Sequence, residues 1–162
     1  MMEREEESMN SPKFRLFMLF FAVTVLAAPR NGPVYDEKAD AHRDYAKAIV
    51  TADASQKNIV LIFGANWCPD CRALDAQMHK GELASILENN FVVVKVDLGR
   101  HNKNLDLANH FHVPVERGIP ALAVLDPSGR LLYAMDQGQF ADARTMRYES
   151  IKAFFVHWEP KH

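Results

Sequence analysis

The chain has only two cysteines, and they sit two residues apart in Asn66-Trp67-Cys68-Pro69-Asp70-Cys71. Just before them runs Ile59-Val60-Leu61-Ile62-Phe63, short, rich in β-branched residues and followed by Gly64, the pattern of a buried strand. After Cys71 the pattern turns helical: Leu74 and Met78 lie one turn apart, with Arg72, Asp75, Gln77 and Lys80 assigned to the other face. The cysteines therefore fall where a strand ends and a helix begins. Free N–H groups at a helix start favour negative charge, so a thiolate at Cys68 is stabilised there. Pro69 suits the first helical turn, because its φ is fixed and its missing N–H is not needed. Such a pair can close a small disulfide and reopen it, which points to thiol–disulfide exchange. The competing reading is a purely structural pair.

Composition narrows the field. A formal net charge of −2 leaves no basic surplus to neutralise phosphates, so nucleic acid is not an expected partner. An apolar content of 48% is enough for a core. Two cysteines are too few for a disulfide scaffold or a thiolate zinc site. His101, His110 and His112 cluster along the sequence, with His42 and His79 elsewhere; they are read as surface histidines and no metal site is expected. Asp97 and Asp106 are expected to face solvent.

Residues 1–28 read as an address. Positions 16–28 are apolar apart from Thr24, with Lys13 and Arg15 just before them. That run is shorter than the about 20 residues a membrane span needs. It fits the core of a secretory signal, with cleavage expected after Ala27. The acidic stretch at 3–7 fits poorly, and Met9 would give a better start. An uncleaved anchor is the alternative. Either way the expected location is periplasmic or secreted.

Residues 29–56 are expected to form a turn-rich linker and a helix over 36–54, with Ala39, Ala46, Ile49 and Val50 on its buried face. Residues 57–162 form the main domain. Its second strand is Phe91-Val92-Val93-Val94-Lys95-Val96-Asp97, apolar on both faces and so expected to be central. A polar loop at 99–104 and a short helix at 105–111 follow. Gly118-Ile119-Pro120 precedes a third strand at 121–125, the turn Asp126-Pro127-Ser128-Gly129 and a return strand at 130–135. A closing helix is expected over 142–158, burying Ile151, Phe154 and Phe155. The order predicts an α/β fold on a mixed sheet flanked by helices.

With these motifs in order, the sequence resembles the thioredoxin superfamily over about 57–158. Trp67-Cys68-Pro69-Asp70-Cys71, Val94-Lys95-Val96-Asp97 and Gly118-Ile119-Pro120 carry the likeness. The signal and the extra N-terminal helix make it similar to exported bacterial members. The resemblance implies a thioredoxin fold and a protein-disulfide oxidoreductase. Cys68 matches the exposed attacking cysteine, Cys71 the buried resolving one, and Trp67 the flanking aromatic. Pro120 matches the cis-proline, with the Ile119 backbone pairing to an extended substrate. No cofactor is implied beyond the Cys68–Cys71 disulfide. The implied partners are protein disulfides and a membrane-bound electron donor, with the protein itself a monomer.

Two positions depart from thioredoxin. Ile62 stands where a buried acid helps move the resolving thiol's proton, so that aid is missing. Asp70 places a carboxylate near Cys68, which disfavours the thiolate and tends to make the couple reducing. A reductant is therefore expected rather than a strong oxidant. The alternative function is a metallochaperone holding Cu(I) between the two thiolates.

Overall fold

β1, Asn58–Gly64, is buried at every position, because its apolar run has a strand on each side. In the computed structural model, which describes residues 32–161, β1 pairs in parallel with β2, Phe91–Asp97. On its other side β1 pairs antiparallel with β3, Ala121–Leu125. β3 in turn pairs antiparallel with β4, Leu131–Ala134. The sheet order is β2-β1-β3-β4. Helices α1 (Ala41–Ser55), α2 (Pro69–Met78), α3 (Gly81–Asn90), α4 (Leu105–His110) and α5 (Tyr148–His157) complete the domain. The expected signal or anchor at 1–28 lies outside the described residues. Among those described, no helix is long and apolar enough to cross a membrane.

The mixed sheet with flanking helices and an extra N-terminal helix is the fold expected from the sequence. Its details differ in four places. β2 is an edge strand rather than a central one, with Val92, Val93 and Lys95 only half-buried. Its apolar character comes from α1 and α3, which both pack against it. α1 starts at Ala41, where the Asp40 side chain accepts the Arg43 N–H at 3.0 Å and caps the helix. Its buried face is Ala41, Ala48 and Ala52, whereas Ala46 and Val50 are exposed.

α5 begins at Tyr148 and not near 142. The preceding stretch folds into successive turns, with Ala141, Ala143 and Thr145 each donating to a carbonyl three residues back. The Arg144 N–H leaves that pattern and donates to Asp70 instead. Asp97, expected to face solvent, is 5% exposed and takes the Lys103 ammonium at 3.3 Å. Asp106 is exposed and meets His42 Nε2 at 2.8 Å.

Candidate active site at the start of α2

Cys68 is the N-cap of α2, in extended conformation, and the Cys71 N–H donates to its sulfur at 3.1 Å. A sulfur thus takes the place that a capping oxygen usually fills. Pro69 occupies the first helical turn and is exposed. Cys68 and Cys71 are joined as a disulfide, with Cα atoms 5.3 Å apart. The contrast between an exposed and a buried cysteine is absent in this oxidised state: Cys68 is 3% and Cys71 1% exposed. Their neighbours differ instead. Cys68 Sγ lies 3.5 Å from the Ile119 carbonyl oxygen. The Ile119–Pro120 peptide bond is cis, and both residues are buried. Trp67 is half-exposed; its indole N–H donates to the Gly99 carbonyl at 2.6 Å and its ring centroid lies 5.6 Å from that of His101.

Asp70 does not point into solvent or stand alone. Its Oδ1 accepts the backbone N–H of Arg144 at 3.0 Å and the guanidinium Nε at 3.1 Å. Burial by itself would raise the carboxyl pKa; the hydrogen bonds and charge of Arg144 outweigh it and hold the group below the usual carboxylate range. The guanidinium sets a positive charge against the carboxylate expected to act on Cys68. Arg144→Ala should free that carboxylate and raise the Cys68 thiol pKa, slowing alkylation of the reduced protein at pH 7 by up to about tenfold. Iodoacetamide kinetics measure it; an unchanged or faster rate would show that Asp70 does not act on the sulfur.

Behind Cys71 the site is closed by Tyr35, Asn66 and Asp75, to which the sequence assigned no role, together with Ile62 and Lys95. Asn66 clamps the backbone of Tyr35 from both sides, its Oδ1 accepting the Tyr35 N–H and its Nδ2 donating to the Tyr35 carbonyl, each at 2.9 Å. The Tyr35 side chain, 1% exposed, reaches Gly64 beside the Cys71 sulfur. Asp75, assigned to the outer face of α2, is largely covered and ion-paired with Lys95 of β2. Ile62 is buried in the same region. The sequence marked two of this group, Ile62 as a departure from thioredoxin and Lys95 within Val94-Lys95-Val96-Asp97; a charge inside an apolar strand was the signal that could have led to Asp75.

The histidines are dispersed. His101 faces Trp67, His110 packs edge-on against Phe111 and His79 Nδ1 meets the Asp75 carbonyl at 2.7 Å. Among the described residues no three His, Cys, Asp or Glu side chains are grouped to hold a metal ion.

The family profile described as Thioredoxin-like matches residues 40–127. A disulphide isomerase from Xylella fastidiosa is 37% identical and superposes with a TM-score of 0.75, covering 78% of this chain and 96% of its own. A thioredoxin from Thermus thermophilus, 19% identical, shares the fold with a TM-score of 0.53 over 70% of this chain and 82% of its own. Probable nucleoredoxin 3 of rice (Oryza sativa subsp. japonica) is 30% identical over 49% of this chain. The chain spans only 21% of that curated relative's length. A disulfide oxidoreductase fold, a paired Cys-x-x-Cys at the start of α2 and a matching profile over more than half its length agree: the chain belongs to the thioredoxin-like family.

Proposed function

We propose that the protein exchanges disulfides with protein substrates through Cys68 and Cys71, acting as a reductant or isomerase. The observation that carries this reading is Cys68 Sγ at the helix start, receiving the Cys71 N–H and facing the Ile119 carbonyl. The Cys68 thiolate attacks a substrate disulfide; one substrate sulfur bonds to Cys68 and the other leaves as a thiolate. Cys71 then attacks the Cys68 sulfur, expelling the second substrate thiolate. Two electrons pass to the substrate and the Cys68–Cys71 bond remains. An extended substrate segment runs past Ile119 and Pro120, with Trp67 forming the rim.

The reducing direction is supported less by Asp70, now paired with Arg144, than by burial of Cys71, which leaves Cys68 alone at the helix start to gain from ionising. A covered sulfur gains little from ionising, so the reduced form has less thiolate stabilisation to hold it. In this reading the protein works outside the cytoplasm as a monomer and is re-reduced by a membrane-bound donor, since an oxidising compartment would otherwise leave it spent.

Replacing Cys71 with Ala should trap Cys68 in a mixed disulfide with its substrate. The adduct should resist release until a strong thiol is added, and non-reducing electrophoresis with mass spectrometry would detect and identify it. Wild-type rates of insulin reduction by Cys71→Ala would remove the resolving role and with it the proposal.

A further inference from the structure

The stretch that carries the two sulfurs is flanked by guanidinium groups which the exchange scheme does not use. Gly99 opens the loop at 99–104, and its carbonyl holds the indole N–H of Trp67, the residue next to Cys68. Arg100 follows it and is exposed; Arg72, one position beyond Cys71, is exposed as well. Among the described residues neither meets a carboxylate. The acids nearby are mostly spent. Asp70 is covered and answered by Arg144, Asp97 is covered and answered by Lys103, and the exposed Glu37 accepts from Asn66 Nδ2 at 3.0 Å. A chain with a formal net charge of −2 thus shows positive charge beside its disulfide.

The loop that presents Arg100 is held in place. Gly99, His101 and Asn104 all take left-handed backbone, with φ of 54°, 61° and 51°, and residues with side chains adopt that conformation only where neighbours impose it. Asn102 Oδ1 accepts the Arg100 N–H at 2.9 Å, Asn104 Nδ2 donates to the Asp97 carbonyl at 2.7 Å, and Lys103 Nζ donates to the Glu37 carbonyl at 3.0 Å. His101 packs against the Trp67 ring. A charge on such a loop is placed before substrate arrives, so less ordering is lost on binding.

We propose that Arg100, supported by Arg72, is a specificity-determining residue that selects protein substrates whose disulfide is flanked by aspartate or glutamate. This rests on the oxidoreductase reading above and names the substrate class which that reading leaves open. An acidic segment running past Trp67 meets guanidiniums that can take a carboxylate through paired N–H bonds, whereas a basic segment is repelled. The negative charge of the rest of the chain sharpens the choice, because an acidic partner is drawn to this edge and turned away elsewhere.

The test uses full-length protein, reduced with dithiothreitol and freed of it, against two synthetic peptides. Both carry the same intrachain disulfide, flanked by aspartates in one and by lysines in the other. Each rate is divided by that of dithiothreitol with the same peptide, which removes the peptides' own difference in reactivity. Wild type should prefer the aspartate peptide by about tenfold or more at low salt, and the preference should shrink toward one at about 0.5 M salt. Arg100→Glu should lower the ratio by at least about fivefold, and Arg100→Lys should keep it within about twofold of wild type. The ratio is the deciding readout, since a change in Cys68 reactivity alone scales both rates together. Lys161→Glu makes the same reversal on an exposed residue at the opposite end of β1, where Asn58 holds the Trp158 carbonyl, and should leave the ratio within about twofold. A wild-type ratio near one, a ratio that Arg100→Glu leaves unchanged, or an equal shift in Lys161→Glu overturns the inference. If wild type reduces neither peptide, the oxidoreductase reading falls; if it reduces both equally, only the selection by Arg100 falls.

Discussion

Cys68→Ser should cut insulin reduction by more than about a thousandfold while leaving the stability of the reduced protein almost unchanged. The two consequences separate because Cys68 has two jobs. It is the attacking sulfur in the proposed exchange, and a serine hydroxyl at neutral pH is far too weak an acid to replace it. It is also the cap of α2, accepting the Cys71 N–H. Serine is a strongly preferred cap and would accept the same N–H, so the helix keeps its start. Turbidity of reduced insulin and thermal melts under reducing conditions measure the two halves. A variant keeping a tenth of wild-type activity would mean that Cys68 is not the nucleophile. One that lost activity only by unfolding would mean that the fold, not the chemistry, had been tested.

Gly64→Ala should destabilise the domain by about 2–3 kcal/mol. The added methyl meets the Tyr35 ring and hydroxyl on one side and Cys71 Sγ, at 2.8 Å, on the other. Neither neighbour can retreat easily. Tyr35 is pinned through its backbone by Asn66, and Cys71 is fixed in the first turn of α2. Close packing around β1, buried along its whole length, leaves nowhere to spread the strain. Urea denaturation gives the number. A cost below about 0.5 kcal/mol, the level of an ordinary surface change, would show that the Tyr35 segment moves aside and is not held against the site.

Much of this architecture was legible because the signals are local. The β-branched run before Gly64 forecast β1, the cysteine spacing with Pro69 forecast the start of α2, and Gly118-Ile119-Pro120 marked the entry to β3. What stayed hidden depends on distant partners. Asp70 meets Arg144 across 74 positions, and nothing around either residue marks the other. That same bond helps explain why the expected helix over 142–158 opens late. Tyr35 lay in a stretch read as linker, yet Asn66, 31 positions away, brings it to the site. β2 was misplaced because an apolar run records that a strand is covered, not whether helices or strands cover it. The face of α1 was misjudged for a related reason: Ala46 and Val50 are apolar but exposed, and Tyr45 and Ile49 lie half-buried beside Ala41, Ala48 and Ala52.

The position of Lys95 has a consequence beyond chemistry at sulfur. β2 is a rim strand whose outer backbone groups have no neighbouring strand, with Val92 and Val93 nearby and only half covered. Such a rim invites another chain to stack alongside and extend the sheet. A charged side chain at such a rim, here the Lys95 ammonium held by Asp75, disfavours that stacking.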